Sequence, residues 1–135
     1  MREVTTVCPF EVEHTLLGDC PTTADHARRV TRDFLSTFAP QDSAEVDAAL
    51  IVVSELVTNA IQHAGGVTGF HLRADAETVT ICVDDASRTP PRRRQSLPSE
   101  PGGFGWPMVL NLSKAVQVDT RSDGKTVRAD LPMVH

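Results

Sequence analysis

Glu55 and Asn59 stand four residues apart, so on a helix they share one face about one turn from each other. A carboxylate can take or orient a proton, and an amide oxygen is a fair ligand for a hard cation. Asp85 is a second candidate. In the alternating run from Glu77 to Asp85, the side chains of Val79, Ile81 and Val83 share one face and Asp85 falls in the same phase. That phase aims a carboxylate into the apolar layer at the end of a strand. Gly103, Phe104 and Gly105 precede an apolar stretch in which Pro107 suits a first helical turn. Glycines there let backbone N–H groups approach a phosphate, and the helix N-terminus adds a partial positive charge. Each feature also has a plain structural alternative. Glu55 and Asn59 fit the wet side of an amphipathic helix, Asp85 a turn cap with Ser87, and the glycines an ordinary turn.

The elements that must position these groups follow from periodicity and caps. Thr22 or Thr23 caps a helix of about four turns through Ala24, Ala27, Val30, Phe34, Leu35 and Phe38. Its outer residues, Arg28, Arg29, Arg32 and Asp33, read as a solvated face. Asp42 and Glu45 have the spacing of a capping box for a second helix, which Gly65 and Gly66 stop. The apolar stripe of that helix is Val46, Ala49, Leu50, Val53, Val57, Ala60, Ile61 and Ala64. Val67 to Ala74 and Glu77 to Asp85 then form a hairpin, and Ala115 to Thr120 with Lys125 to Leu131 form another around a turn at Arg121 to Gly124. Between them, the Pro- and Arg-rich stretch from Arg88 to Pro101 cannot form a long helix or strand, and reads as a lid or partner contact. Residues 1–20 form an N-terminal strand or arm, with weak alternation from Glu11 to Leu16. Residues 21–135 form a single domain.

Composition excludes several function classes. A net charge of -5 over 135 residues repels a phosphate backbone, so direct nucleic-acid binding is not expected. Cys8, Cys20 and Cys82 are odd in number and widely spaced, which gives neither a disulfide framework nor a zinc knuckle. The histidines lack metal-site spacing. No apolar run is long enough to span a bilayer and no secretory leader is evident, so the expected location is the cytoplasm, away from membranes.

Taken together, these motifs resemble the ATP-binding domain shared by gyrase, histidine kinases, the mismatch-repair protein MutL and the bacterial anti-sigma-factor serine kinases. This is the Bergerat fold, an α/β two-layer sandwich whose mixed, mostly antiparallel sheet carries its helices on one face. Ser54 to His63 resembles the asparagine box E-x-x-x-N-A. The resemblance implies that Asn59 binds Mg²⁺ beside the ATP phosphates and that Glu55 orients or deprotonates the nucleophile. Val83 to Ser87 resembles the first glycine box, which implies that Asp85 accepts the adenine amino group, with Ser87 and Thr89 standing where the family usually has glycines. Gly103, Phe104 and Gly105 resemble the second glycine box around the phosphates, and Gly124 to Val127 the late strand whose Thr126 helps hold adenine.

The size and the single helix before the asparagine box are most similar to the anti-sigma-factor kinases. That resemblance implies ATP and Mg²⁺ as cofactors and protein-serine/threonine kinase activity. It also implies a sigma factor or an anti-sigma-factor antagonist as partner, control of transcription through that partner, and room for a homodimer. The alternatives are a non-catalytic regulator that acts by protein binding only and a stand-alone ATPase subunit of a signalling system. No phospho-accepting histidine motif accompanies His26, which disfavours a sensor histidine kinase.

Overall fold

The computed structural model describes residues 3–8, 23–36, 43–74, 77–89 and 105–133, with residues 3–8 described as backbone only. In chain order the elements are β1 (Glu3–Cys8), α1 (Ala24–Leu35), α2 (Ala44–Ala64), β2 (Val67–Ala74), β3 (Thr78–Asp85), α3 (Gly105–Leu112), β4 (Ala115–Arg121) and β5 (Gly124–Pro132). The five strands form one sheet in the order β1-β2-β3-β5-β4. All four neighbouring pairs are antiparallel, so among the described residues the sheet is antiparallel throughout rather than mixed. An edge strand is present at Glu3–Cys8, upstream of the Glu11 to Leu16 alternation. Glu11 to Leu16, Asp42, most of the Arg88 to Pro101 stretch, Gly103 and Phe104 lie outside the described residues.

Local chemistry explains the helices. Thr23 caps α1 by accepting the His26 N–H at 3.0 Å. The cap of α2 is Ser43, whose hydroxyl accepts the Val46 N–H at 3.2 Å, so the Asp42 to Glu45 capping-box spacing is not what starts this helix. With Ser43 as cap, Val46 is the third helical residue, the position whose orphan N–H a capping side chain reaches. Gly65 ends α2 in the left-handed conformation, φ 78°.

Helix α2 lies against β2, β3 and β5 and is flanked by α1 and α3. Val46, Ala49, Leu50, Val53, Val57 and Ala60 are buried as the stripe requires, and Val52 and Leu56 join them because helices as well as strands pack around α2. Ile61, by contrast, is 40% exposed in the last turn. From the sheet, Phe70, Leu72, Val79, Ile81, Val83, Val127, Ala129 and Leu131 complete a single core.

The opposite face of the sheet is polar. There Asp84 receives hydrogen bonds from Thr126 Oγ1 at 2.6 Å and faces His71 Nε2 at 3.4 Å. Burial works against the charge on Asp84, but the bonds from His71 and Thr126 outweigh it and hold the carboxyl below the usual aspartate range. Cys82, a free thiol, lies in the same phase, and burial above all pushes its pKa up to about 11.

Candidate functional site

Strand phase places Asp85 on the helix side of the sheet, at the end of β3, as its alternation with Val79, Ile81 and Val83 requires. Its cross-strand partner is Lys125, and both residues are 4% exposed. The Lys125 ammonium donates to Asp85 Oδ1 at 3.0 Å and Oδ2 at 2.9 Å. The Ser87 N–H donates to Oδ1 at 2.9 Å, closing the turn that leaves the strand, and the Ser87 hydroxyl in turn accepts the Thr89 N–H at 3.1 Å. Ser87 therefore shapes the backbone beside Asp85.

Gly124 permits this approach. Its φ is +153°, and a Cβ there would collide with the backbone carbonyl of Asp85. Thr126 is paired with Asp84, so its hydroxyl lies on the polar face and the structure does not bring it to Asp85. Arg121 also donates to the Thr126 hydroxyl. Lys125 was the group that motif reading missed. The signal for it was phase: in an antiparallel pair, residues directly opposite share a face, and Lys125 rather than Thr126 stands opposite Asp85.

Glu55 and Asn59 are both half-buried on α2. The Glu55 carboxylate rests against Gly105, the first residue of α3, occupying the space a Cβ would take. Burial raises its pKa above the ordinary glutamate value. Next to it, Ser54 accepts a hydrogen bond from Arg28 Nη1 at 2.9 Å and donates to the Leu50 carbonyl at 2.8 Å. Arg28 thus ties α1 to α2 beside Glu55 instead of standing in a wholly solvated face. The structure brings Glu55 to the start of α3, at the described end of the glycine stretch. Gly103 and Phe104 are outside the described residues.

Chemically, the arrangement offers a half-buried carboxylate at the first residue of α3, an amide one turn away on α2, and a buried acid–ammonium pair at the strand ends. Among the described residues there is no group of three or more His, Cys, Asp or Glu able to hold a metal ion unaided. No helix among them is long and apolar enough to cross a membrane.

Residues 19–131 match the family model described as the histidine kinase-like ATPase domain. No curated protein matches the chain. Among solved structures, the chain is similar to the Erythrobacter litoralis EL346 blue-light activated histidine kinase, with 22% identity and a TM-score of 0.46 over 83% of this chain and 42% of that one. It is also similar to the histidine kinase domain from the same protein, with 21% identity and a TM-score of 0.48 over 90% of this chain and 68% of that one. The chain thus spans less than half of the first of these.

Proposed function

The chain belongs to the histidine kinase-like ATPase family, and from that premise we propose that it binds Mg-ATP and transfers phosphate to a serine or threonine of a protein partner. The observation that carries this reading is the contact between the Glu55 carboxylate and Gly105, which puts a candidate acid at the opening of α3. A helix N-terminus is where phosphate oxygens are best received.

The residues present fit the nucleotide and its cation. Among the described residues Oδ2 of Asp85 accepts from Lys125, and a carboxylate oxygen has a second lone pair to offer an amino N–H. Asn59 offers an amide oxygen to a Mg²⁺ that takes its other oxygens from phosphate and water. Bound Mg-ATP would supply the phosphoryl group. In this reading Glu55 orients the acceptor hydroxyl and receives its proton. Its raised pKa makes it a better proton acceptor than a fully solvated glutamate. Asp85 fixes the base, and Asn59 holds the cation.

As regulator, we assign the protein to the anti-sigma-factor type, with a sigma factor or its antagonist as partner and the antagonist's hydroxyl as phosphate acceptor. Support for this finer reading comes from the motif resemblance and from the absence of an acceptor motif in the sequence. Incubating the protein with labelled ATP and candidate partners tests it: label should appear on a partner serine or threonine with native protein and not with Glu55→Ala, which should still bind both ATP and partner. Partner binding without label from the native protein would favour a second reading, a regulator that works by contact alone. The burial of Asp85 beneath Lys125 is the feature that speaks for that alternative.

A further inference from the structure

Among the described residues, four large apolar side chains are exposed: Ile51 and Ile61 on α2, Met108 and Leu110 on α3. These are the two helices that meet where Glu55 rests against Gly105, and neither α1 nor the described side chains of the sheet show another. Ile51 is the one that bears on Glu55. It stands one turn before Glu55 on α2, is 39% exposed, and is itself preceded by one turn by Asp47, an exposed acid in the first turn of the helix. A β-branched residue is a mediocre helix former at an exposed position, so helix stability gives no reason for an isoleucine there.

The inference rests on the phosphotransfer reading above, under which this stripe of α2 divides by function. Asn59, one turn after Glu55, lies on the side assigned to the cation and phosphates, and α3 closes against Glu55 itself. Displacement at phosphorus runs in line, so the nucleophile enters opposite the leaving oxygen. The side of Glu55 away from Asn59 is the Ile51 side. We propose that Asp47, Ile51 and Glu55 form the docking stripe for the acceptor segment of the protein partner, an extended stretch that presents its hydroxyl to Glu55, an apolar side chain to Ile51 and a basic one to Asp47. Spacing fits an extended segment: four helical residues rise about 6 Å, and alternate residues of an extended chain, which point to the same side, stand roughly 6.8 Å apart. Each turn of α2 thus meets every second residue of the acceptor. Charge sets the sign, since an acidic segment would be repelled by both carboxylates.

Short synthetic peptides are the probe. One pair carries arginine, leucine and serine at alternate positions in the two chain directions, and a second pair has glutamate in place of arginine. Chemical-shift titration of isotope-labelled native protein should move amides in the first turns of α2, with the better arginine peptide bound about threefold more tightly than its glutamate counterpart, the size of an exposed ion pair. In Asp47→Lys the preference should reverse, a gain that misfolding cannot imitate. Ile51→Ser should weaken the arginine peptide by about fivefold, the effect of leaving the exposed part of one aliphatic side chain without a partner. Equal affinities in native protein, a preference that survives Asp47→Lys, or undiminished binding by Ile51→Ser overturns the docking stripe. Calorimetry with Mg-ATP on native protein separates that failure from failure of the reading beneath it. ATP binding without peptide discrimination removes the docking stripe alone, and no ATP binding removes both.

Discussion

The carboxylate of Glu55 fills the space in which a side chain on Gly105 would begin, so α2 and the opening of α3 meet with nothing larger than hydrogen between them. Gly105→Ala tests what that closeness is for. The atom in the way is the far end of a flexible side chain, which can swing aside, so a thermal melt should show a folded protein with little loss of stability. Glu55 must then leave its position, and displacing a reacting group by about 1 Å can cost on the order of 10²-fold in rate. Phosphate transfer, or ATP hydrolysis where no acceptor is supplied, should fall at least about tenfold. Unchanged turnover would separate Glu55 from the chemistry.

The raised pKa of Glu55 also has a consequence for stability. Burial penalises its ionised form, so the folded value lies above the unfolded one. The contribution of such a group is fully present below the unfolded pKa and is lost as pH rises through the folded one. Glu55→Gln should therefore match native protein in stability below about pH 4 and exceed it at neutral pH, where the native acid is charged. Urea unfolding at several pH values checks the sign. The phosphate transfer proposed for this chain should move the other way, with the more stable variant inactive.

Much of this was readable from local pattern. The period of α2, its glycine stop and the inward phase of Asp85 are set by neighbours within a few residues, and each appears where that pattern puts it. The cap of α2 is Ser43, one residue past Asp42, and because adjacent residues of these two types both make good caps, local pattern alone does not choose between them. Ile61 belongs to the stripe by period yet is exposed, since among the described residues that side of the final turn is left uncovered. Lys125 was hidden for a different reason. Its burial depends on pairing β3 with β5 across the α3 and β4 segments, and a strand lysine taken alone reads as solvent-facing. Motif resemblance points to Thr126, and a shift of one residue moves a strand side chain to the other face.

Gly124→Ala should be costly in a way that Gly105→Ala is not. Here the obstructing atom is the backbone carbonyl of Asp85, which cannot rotate away, and φ of +153° disfavours any side chain. A loss of about 2 kcal/mol or more is expected in urea unfolding. Because the same backbone contact sets Asp85 against Lys125, base binding should weaken together with stability. A variant of native stability would mean that β5 can retreat from the Asp85 turn without consequence.

Asp85→Asn removes a carboxylate that the buried ammonium of Lys125 needs. With both side chains about 5% exposed, the lysine left behind is an uncompensated charge, and losing one partner of such a pair typically costs about 3–5 kcal/mol. This substitution should therefore destabilise the fold as well as abolish base recognition, and a loss of ATP affinity in it is not by itself proof of an adenine contact. The double variant Asp85→Asn/Lys125→Met resolves the ambiguity by removing both charges together. Its stability should be at least about 2 kcal/mol better than the sum of the two single losses, because the penalty of each single variant is mainly the stranded partner. It should nevertheless fail to bind Mg-ATP. Additive losses in chemical denaturation would show that the pair is not coupled, and ATP binding by the folded double variant would place the base elsewhere.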